Sequence, residues 1–526
     1  MKLKIFLSTI FAFVLVGTAL SQYIPSDFNL VQSKSISKIS STKSIVNNSI
    51  NDIIAVGDTI WLATSQGLSL STDNGVSWKN FSGDNTFGTE SISAIGYYNG
   101  VFWAATAHSI TQNNQSIPVG SGLRYTSDYG KTWTSVPQPV DNSGDSSVVY
   151  GINTLRALPV TVTPQNIIYD IAFTPGTIWV ASFAAGLRKS TDMGKTWQRV
   201  VLPPDFLDSV SPTDTLDFCI SPVAGNFCNQ ANLNYEAFSV ISTNDSTIYV
   251  GTADGINKST DNGISWTKFN HTNQINAISG NFVVALGYNK YDNTVWGATW
   301  QANGTDEFYG VSSTSDGGQN WKTTLSGEKV HNFAFQNKEI IALSDNGAFG
   351  SENNGITWIL PNSIIDNNTN LSIATSIYYG AAFNGTTVWL GSDDGLAKLE
   401  QDGQGIWSGK WSIFLASKNL TAVSDTYAFP NPFNPKTDIL KIKYSTNGKS
   451  VPVTIRIFDF GMHFVRTVIQ NAQRGLTGHV IDAQSDVIDY WDGKDDVGNI
   501  VPNGVYFYRV DAGSEKPVYG KILVLH

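Results

Sequence analysis

The amino-acid sequence predicts an all-β fold, namely a seven-bladed β-propeller plus a small C-terminal immunoglobulin-like β-sandwich. Two signatures that recur along the chain predict the propeller, and a run of short alternating strands near the end predicts the sandwich. The composition agrees, since the 526 residues include 47 Gly and 12% aromatic residues but only 14% charged residues. An average soluble protein carries roughly 25% charged residues. A chain rich in glycine and aromatic residues suits short strands joined by many turns.

The first signature is a box with the pattern Ser/Thr-x-Asp-x-Gly-x-x-Trp. Five boxes are complete, and their acidic residues are Asp73, Asp128, Asp192, Asp261 and Asp316. A sixth box has Asn353 at the acidic position, and a seventh keeps only Asp402 and Trp407. In a hairpin turn, short Asp and Ser/Thr side chains bind local backbone N–H groups, and Gly takes the positive φ. We therefore predict that the box residues are structural, with calcium or ligand contact as the alternative.

A second signature precedes each box, an aromatic or apolar residue with Thr or Ser three positions later. The seven pairs are Trp61/Thr64, Trp103/Thr106, Trp179/Ser182, Tyr249/Thr252, Trp296/Thr299, Ile341/Ser344 and Trp389/Ser392. Each repeat divides into four strands, and four-stranded units repeated around a ring form a propeller. We therefore predict seven blades over residues 48–418, preceded at 22–47 by a linker or a closing strand.

The boxes resemble the Asp-boxes, or BNR repeats, of sialidases, sortilin-type receptors and some xyloglucan hydrolases. The resemblance implies a propeller, and a sialidase would also need an arginine cluster and a Tyr/Glu nucleophile pair. Before residue 425 the chain contains only four arginines, namely Arg124, Arg156, Arg188 and Arg199. Arg124 and Arg188 take the same third-strand place in adjacent blades, which suggests surface positions. The sequence therefore does not support sialidase chemistry.

The N-terminus has the pattern of a secretory signal. Met1-Lys-Leu-Lys is followed by an apolar run from Ile5 to Val16 and then by Ala19-Leu20-Ser21. This pattern predicts a signal peptide at residues 1–21 that is cleaved after Ser21. The apolar run is too short to favour a transmembrane anchor. No later stretch reaches 18 apolar residues, so we expect no transmembrane segment in the mature chain.

The last hundred residues have a different pattern from the repeats. Alternating strands such as 440–444 and 453–457 predict a small antiparallel sandwich of roughly seven strands. The motifs PNPFNPKT, IFDFG, WDGKDDVG, PNGVYFYRV and GKILVL follow in this order. Together they resemble the type A C-terminal sorting domain of the type IX (Por) secretion system, and equally the FlgD-like immunoglobulin-type domain.

This resemblance implies that residues 419–526 are an address for the outer-membrane secretion translocon. The protein would then be secreted, or attached to the outer cell surface, after signal-peptide cleavage. The chain departs from the family pattern at its end, where His526 stands in place of the usual basic residue. The alternative is an ordinary immunoglobulin-like module without a sorting role.

Long insertions suggest where a ligand could bind. We place all of them on the face opposite the boxes, at 107–121, 137–165, 201–235 and 300–310. Loops on a rigid scaffold commonly carry binding residues. The ligand-binding candidates combine aromatic rings, carboxylates and an imidazole, as suits a sugar: Trp300, Asp306, Glu307, Tyr309 and His108. The alternative is loop decoration without a ligand.

Two cysteines lie in one insertion, nine positions apart, at Cys219 and Cys228. In an exported protein they are expected to form a disulfide that closes this loop. Two free thiols are the alternative. No His lies nearby, so we expect no metal there, and the chain contains no motif for a cofactor.

Two carboxylates are the candidates for catalysis. Asp52 and Asp170 each stand nine residues before a signature Trp, on equivalent inner strands near the predicted central channel. Such a pair could act as acid and base in glycoside hydrolysis, and the alternative is a structural role for both. The net charge of −10 argues against nucleic-acid binding. We therefore predict a non-catalytic propeller that binds a glycan or a surface protein. The alternative is a secreted glycoside hydrolase, sialidase- or xyloglucanase-like, that uses Asp52 and Asp170, or Asp306 and Glu307.

Overall fold

The computed structural model describes most of the chain after the predicted signal peptide. The described residues are 41–42, 44–302, 304, 306–366, 368–369, 371–417, 420, 422, 424–475 and 486–526. The predicted signal peptide, 1–21, and residues 22–40 lie outside them. Within the described part of the chain, no helix is long and apolar enough to cross a membrane.

The chain divides into two compact units. The first contains Met1–Pro361, Ser376–Leu396 and Glu400–Gly409. The second contains Asn362–Thr375, Ala397–Leu399 and Lys410–His526.

The strands are numbered here in chain order. Blades one and two contain β1 (Ser41–Thr42), β2 (Ile50–Val56), β3 (Thr59–Thr64), β4 (Gly67–Ser71), β5 (Trp78–Phe81), β6 (Ser91–Tyr98), β7 (Val101–Gln112), β8 (Gln115–Thr126) and β9 (Thr134–Val136). The next segment contains β10 (Ser147–Tyr150), β11 (Asn153–Ala157), β12 (Ile168–Thr174), β13 (Thr177–Ser182), β14 (Gly186–Ser190), β15 (Gln198–Arg199), β16 (Ser209–Val210), β17 (Cys219–Ile220), a 3-10 turn (Leu233–Tyr235), β18 (Ala237–Ser242), β19 (Ile248–Thr252), β20 (Gly255–Ser259) and β21 (Trp266–Phe269).

The remaining blades follow the same plan. Blades five to seven contain β22 (Phe282–Asn289), β23 (Thr294–Trp300), β24 (Gly310–Thr314), β25 (Lys322–Thr324), β26 (Val330–Gln336), β27 (Glu339–Ser344), β28 (Gly347–Ser351), β29 (Tyr378–Asn384), β30 (Thr387–Ser392), β31 (Gly395–Gln401) and β32 (Gly409–Phe414).

Seven sheets follow one another along this part of the chain, which confirms the predicted seven-bladed propeller. The blades run from the inner to the outer strand as β2–β5, β6–β9, β12–β15, β18–β21, β22–β25, β26–β28 and β29–β32. Two blades gain a fifth strand, because β1 pairs with β5 and β16 pairs with β21. In blade six the fourth strand is reduced to one bridge between Gly350 and Ile359. The second strands, such as β3, are buried almost throughout, as expected where neighbouring blades cover both faces of a sheet.

The box residues form turns between the third and fourth strands. In the first box, Ser71 Oγ donates to Asp73 Oδ1 and accepts from the Gly75 N–H, at 2.7 and 2.8 Å. Asp73 also accepts from the N–H and the hydroxyl of Ser77. Equivalent bonds recur around the acidic residues of the other complete boxes, with the Asn320 amide in place of the hydroxyl beside Asp316. Each box is therefore a turn closed by its own side chains, as predicted.

The ring closes through a repeated contact between neighbouring blades. Asn289 Nδ2 donates to the Asn337 carbonyl at 2.9 Å, and Gln336 Nε2 donates to the Gly385 carbonyl at 2.8 Å. The equivalent Asn384 donates to the Gly57 carbonyl at 2.6 Å, from blade seven to blade one. The first and last blades are thus joined by the bond that joins blades five, six and seven.

The prediction that all the long insertions lie opposite the boxes is wrong for two of them. β10, β11 and β17 form a small sheet from the 137–165 and 201–235 insertions. The hydroxyl of Tyr150 donates to the carbonyl of Ile264, in the box turn of blade four, at 2.7 Å. These insertions therefore extend to the box face, because their apolar residues pack in one cluster with the outer parts of blades three and four. Cys219 and Cys228 form a disulfide, with their Cα atoms 5.6 Å apart.

An ion cluster fastens the first of these insertions to blade three. Arg188 donates two hydrogen bonds to the carboxylate of Asp141, at 2.7 and 2.9 Å, and Arg199 lies 2.6 Å from the same carboxylate. Arg188 is only 2% exposed. The prediction that it lies on the surface is therefore wrong, because Asp141 covers it and neutralises its charge.

The second unit contains the immunoglobulin-like sandwich. Its strands are β33 (Thr426–Phe429), β34 (Leu440–Ser445), β35 (Val451–Phe458), β36 (Phe464–Arg474), β37 (Asp486–Trp491), β38 (Gly504–Ala512) and β39 (Val518–Val524). They form one sheet in the order β33-β34-β37 and another in the order β36-β35-β38-β39. Apolar residues of both sheets pack into a single core. On β34 the lysines are buried as well, and Lys443 Nζ lies 3.1 Å from Asp486 Oδ2.

Candidate binding channel

A cavity of about 520 Å³ follows the axis of the propeller, and residues on the inner strands of all seven blades line it. Two faces can be distinguished at its ends. We call the end with the box turns and the turns after the inner strands the turn face. This name rests on contacts such as the hydrogen bond from the Asn74 N–H to the Asp58 carbonyl. We call the opposite end, with the connections between blades, the loop face.

Each inner strand carries a β-bulge at an equivalent position. The bulged residues are Asn51, Ser93, Tyr169, Phe238, Val284, His331 and Tyr379. The residues that follow them are Asp52, Ala94, Asp170, Ser239, Ala285, Asn332 and Gly380. A bulge interrupts the ladder and redirects side chains, and bulges are frequent near functional sites. In every blade except blade five, at least one of these two residues is polar or aromatic. We call the level of the channel at which these pairs lie the polar level.

Asp52 and Asn332 are joined across the polar level. Asn332 Nδ2 donates to Asp52 Oδ1 at 3.2 Å, although the residues belong to blades six and one. Between them, blade seven has Gly380, where an added Cβ would lie 2.9 Å from the Cα of Asp52. Because Gly380 has no side chain, Asn332 can reach past blade seven.

Asp170 joins blade three to blade four. Its Oδ1 accepts from the Ile171 N–H and its Oδ2 accepts from the Val240 N–H, both at 2.8 Å. Asp52 makes the first of these contacts too, since its Oδ1 accepts from the Ile53 N–H at 2.8 Å. The carboxylates therefore accept hydrogen bonds from backbone N–H groups that lie shortly after the bulges.

The carboxyl groups of Asp52 and Asp170 both have raised pKa values. Burial raises the pKa of Asp52 to about 7, and the charge of Asp170 adds to this effect, while the Ile53 N–H and Asn332 oppose it. Burial also raises the pKa of Asp170 to about 6, against the opposing bonds from Val240 and Ile171. Near neutral pH, Asp52 therefore exists in both protonation states.

Two serine hydroxyls of the channel have no hydrogen-bond partner in the described part of the chain. They are Ser93 Oγ and Ser239 Oγ, and both residues line the cavity. Ser239 is 2% exposed. A buried hydroxyl without a partner is unfavourable, and a rotation about the Cα–Cβ bond of either serine would let its hydroxyl bind a molecule in the cavity.

Toward the turn face the channel becomes aromatic. Tyr97, Tyr98, Phe173 and Tyr288 line this part and are partly accessible. Tyr98 and Phe173 stack with their ring centres 5.6 Å apart and nearly parallel planes. The exposed Lys290 stands at this end. Stacked rings of this kind offer flat apolar surfaces to a ligand.

Basic side chains are scarce in the channel. Among the described residues that line it, the basic ones are Lys290 and His331. His331 Nε2 lies 2.7 Å from Asp345 Oδ1, and its ring contacts Tyr379 at 5.0 Å between centres. Neither basic residue makes one of the hydrogen bonds described above for Asp52 and Asp170.

The loop candidates Trp300 and Glu307 are not free to contact a ligand. Trp300 is 2% exposed, and its Nε1–H donates to the Val330 carbonyl at 2.9 Å. The prediction that Trp300 offers an exposed stacking surface is therefore wrong, because β23 continues through it and carries its ring into the core. Glu307 is also buried and accepts backbone N–H groups of Asn281 and Ala302 at 3.1 and 2.7 Å. Its carboxylate closes its own loop.

The other loop candidates stay accessible. Asp306 is exposed and Tyr309 is partly exposed. His108 Nδ1 lies 2.9 Å from Ser121 Oγ and 3.2 Å from Glu90 Oε2. These residues are not part of the channel lining. Their role in binding stays a prediction.

Sequence reasoning found Asp52 and Asp170 but missed Asn332 and the bulges. The signal was present, because Asn332 and Gly380 also stand nine residues before Ile341 and Trp389 of the second signature. At that spacing a carboxylate suggests catalysis, whereas an amide or a glycine does not. The unpaired hydroxyl of Ser239 has no comparable sequence signal, since its spacing differs by one residue.

The fold and the channel define the class of this protein as a seven-bladed propeller with a polar axial channel and a separate sandwich. No protein-family description matches the sequence, and no curated protein does either. Solved structures that are similar to it at low identity include the following three. YCF48 bound to a D1 peptide is 13% identical over 69% of this chain and 97% of that chain, with a TM-score of 0.42.

The two other structures cover more of this chain. PorZ, an essential surface component of the type-IX secretion system of Porphyromonas gingivalis, is 13% identical over 92% of this chain and 70% of that chain, with a TM-score of 0.32. The GH74 xyloglucanase from Xanthomonas campestris is 11% identical over 92% of this chain and 67% of that chain, with a TM-score of 0.49. At these identities and TM-scores, the similarities say nothing about the function of this chain.

Proposed function

We propose that this protein is an exported propeller that binds a glycan in its axial channel and does not cleave it. The observation that carries the proposal is the pairing of two surfaces in one cavity. The polar level presents carboxyl, amide and hydroxyl groups, and the stacked rings of Tyr98 and Phe173 lie toward the turn face. Sugars need both, because their hydroxyls require hydrogen-bond partners and their C–H faces pack on aromatic rings.

The geometry of the carboxylates favours binding over catalysis. A general acid or base has to reach the proton that it transfers. Both oxygens of Asp170 already accept backbone N–H groups, and Asp52 Oδ1 accepts two hydrogen bonds. The bonds from Val240 to Asp170 and from Asn332 to Asp52 join different blades, which is a structural task.

One observation favours the rival function, a glycoside hydrolase. Burial raises the pKa of Asp52 to about 7 and that of Asp170 to about 6, so one group could be protonated while the other is ionised. Carboxyl pairs whose pKa values differ are typical of glycosidases. A surface protein as ligand is a further alternative.

Export is the second part of the proposal. It rests on the signal-peptide pattern at 1–21 and on the sorting-type motifs within 419–526, which follow a propeller over 48–418. Deletion of 425–526 in the native host should leave the propeller in the periplasm. Normal delivery of this truncated protein to the surface or medium would reject the sorting role.

A glycan array followed by a reducing-sugar assay on the glycans that bind tests the function. The proposal expects binding without release of reducing ends. Hydrolysis that disappears in both Asp52→Asn and Asp170→Asn would establish the rival instead. Array binding by the protein with no loss in channel variants would place the site elsewhere, and no binding at all would favour a protein ligand.

A further inference from the structure

The polar level holds two carboxyl groups whose described hydrogen bonds come only from neutral donors. Asp52 accepts from the Ile53 N–H and from Asn332, and Asp170 accepts from two backbone N–H groups. Of the described basic residues that line the cavity, His331 is paired with Asp345, and Lys290 stands at the turn-face end. Buried charges are normally paired with an opposite charge. Here a positive charge can come from a ligand.

A second, independent observation points to the ligand's other groups. Ser239 lines the same cavity, and its buried Oγ has no partner in the described part of the chain. It lies next to Val240, whose N–H binds Asp170. Ser93 Oγ, in the same cavity, also lacks a described partner. Hydroxyl groups of a ligand would satisfy both serines.

Resting on the function proposed above, we propose that the channel takes an amino sugar with a free primary amine. Its ammonium group would lie beside Asp52 and Asp170, and its hydroxyls would bind Ser93 and Ser239. An ammonium bound to a carboxylate forms the stronger, charge-assisted kind of hydrogen bond. The sugar ring beyond it can pack on Tyr98 and Phe173.

Other ligands fit these groups less well. An acidic sugar would meet two carboxylates and no arginine among the described lining residues. A metal ion would need more ligands, and within the described residues no three His, Cys, Asp or Glu side chains form a metal-binding group. A lysine side chain of a protein carries the ammonium but no hydroxyls for the two serines.

Isothermal titration calorimetry on the mature full-length protein tests this inference. The probes are a glucosamine oligosaccharide, its N-acetylated counterpart and a glucose oligosaccharide of equal length. We expect the amine form to bind at least about tenfold more tightly than the other two, as a charge-assisted bond allows. Asp52→Asn should remove most of this preference and keep Oδ1 as an acceptor. Asp58→Asn removes the same charge from the exposed turn of the same blade and should change nothing.

Proton release gives a readout that a structural role would not produce. Because Asp52 is partly protonated near pH 7, binding of an ammonium group should displace a proton. The apparent enthalpy should then differ between two buffers of unequal ionisation heat, and Asp52→Asn should abolish the difference. Basic groups near the polar level are His331, paired with Asp345, and the more distant Lys290.

The outcomes separate the inference from the proposed function. Equal or tighter binding of the acetylated or glucose form, lost in Asn332→Ala, would overturn the amino-sugar inference and leave glycan binding intact. A lysine-rich peptide that binds more tightly than every sugar would overturn both. So would the absence of binding to all three oligosaccharides. The amine preference together with its loss in Asp52→Asn supports the inference.

Discussion

Asn332 Nδ2 donates a hydrogen bond to Asp52 Oδ1 over 3.2 Å and thereby connects blade six to blade one across the channel. The contact depends on Gly380, which contributes no side chain between them. One glycine therefore affects both the closure of the ring and the shape of the polar level.

Gly380→Ala tests this dependence. The new Cβ would lie 2.9 Å from the backbone of Asp52, which is closer than real Cβ atoms approach. We expect a loss of about 1–3 kcal/mol in the free energy of unfolding, as for other overpacked sites. Denaturant unfolding measures it. Gly144→Ala is the control, since no atom lies within 4 Å of its added Cβ, and it should unfold like the wild type. Equal stability of the two variants would show that the backbone of blade seven can shift at little cost to make room for the added Cβ.

The raised pKa values predict how stability depends on pH. The folded state keeps a proton on Asp52 up to about pH 7, whereas an unfolded Asp releases it near pH 4. The folded state therefore binds more protons between these values, and this residue makes stability fall as the pH rises from about 4 to 7. Asp52→Asn should gain on the order of 2–3 kcal/mol relative to wild type between pH 5 and pH 8, since about two pH units lie between pH 5 and the raised pKa. Thermal or denaturant unfolding at both pH values checks the sign, and a relative loss would contradict it.

The box turns predict the opposite pH behaviour. The hydroxyl and N–H of Thr196 lower the pKa of Asp192 to about 2, so its stabilising effect is present above pH 4 and is lost as the pH falls toward 2. Asp192→Ala should lower the melting temperature and leave ligand affinity unchanged. Asp192→Asn should be tolerated, because Asn353 accepts the N–H of Thr357 at 2.9 Å in the sixth box. An Asn variant as unstable as the Ala variant would show that the charge itself is needed.

The ion cluster of the first insertion predicts a large effect at a residue far from the channel. Arg188→Ala leaves the buried carboxylate of Asp141 without its bidentate partner. Because Arg199 still lies 2.6 Å from Asp141, we expect a loss of about 1–3 kcal/mol, which is less than the cost of leaving a buried charge without any partner. Arg156→Ala is the matched control, since Arg156 is exposed and should unfold like the wild type. If both variants unfold alike, the cluster contributes no net stability.

Replacing an aromatic residue of the channel should affect ligand affinity, whereas replacing an aromatic residue of the core should affect stability. Tyr98→Ala removes a partly accessible ring of the channel and should weaken glycan binding roughly five- to tenfold, if stacking contributes about 1 kcal/mol. Trp300→Ala should instead reduce stability by about 3–5 kcal/mol, because its ring is buried. Calorimetry on the folded fraction measures affinity, and unfolding curves measure stability. The opposite pattern would return the site to the loop at 300–310.

Much of the propeller could be predicted, because each blade repeats the same two short sequence signatures. The paired signatures place Trp61 and its equivalents on second strands, and the boxes place the turns that follow the third strands. The position of Asp52 relative to Trp61 follows from the same spacing. These features are local, so they are visible without the fold.

The errors concern contacts between distant segments. Trp300 stands at the end of an apolar strand and before a polar loop, and only the pairing of Phe282 with Trp300 shows that the strand includes it. Arg188 looks like a surface residue until Asp141, from an insertion 47 positions earlier, covers it. Asn332 becomes a partner of Asp52 only when the ring closes. Such relations depend on tertiary structure: the spacing before Ile341 locates Asn332 on its strand but does not pair it with Asp52.

The central claim is that a glycan binds in the axial channel. The most direct test is the affinity of a glycan selected on the array for the wild type, for Asn332→Ala and for Asn346→Ala, measured by calorimetry. Asn332 lines the cavity, whereas Asn346 is an exposed residue on a loop of the same blade. We predict that Asn332→Ala weakens binding about tenfold, as expected for a lost hydrogen bond to the ligand, and that Asn346→Ala leaves it unchanged. Unchanged affinity in a folded Asn332→Ala protein, with loss in Asn346→Ala, would place the ligand on the loops and contradict the account.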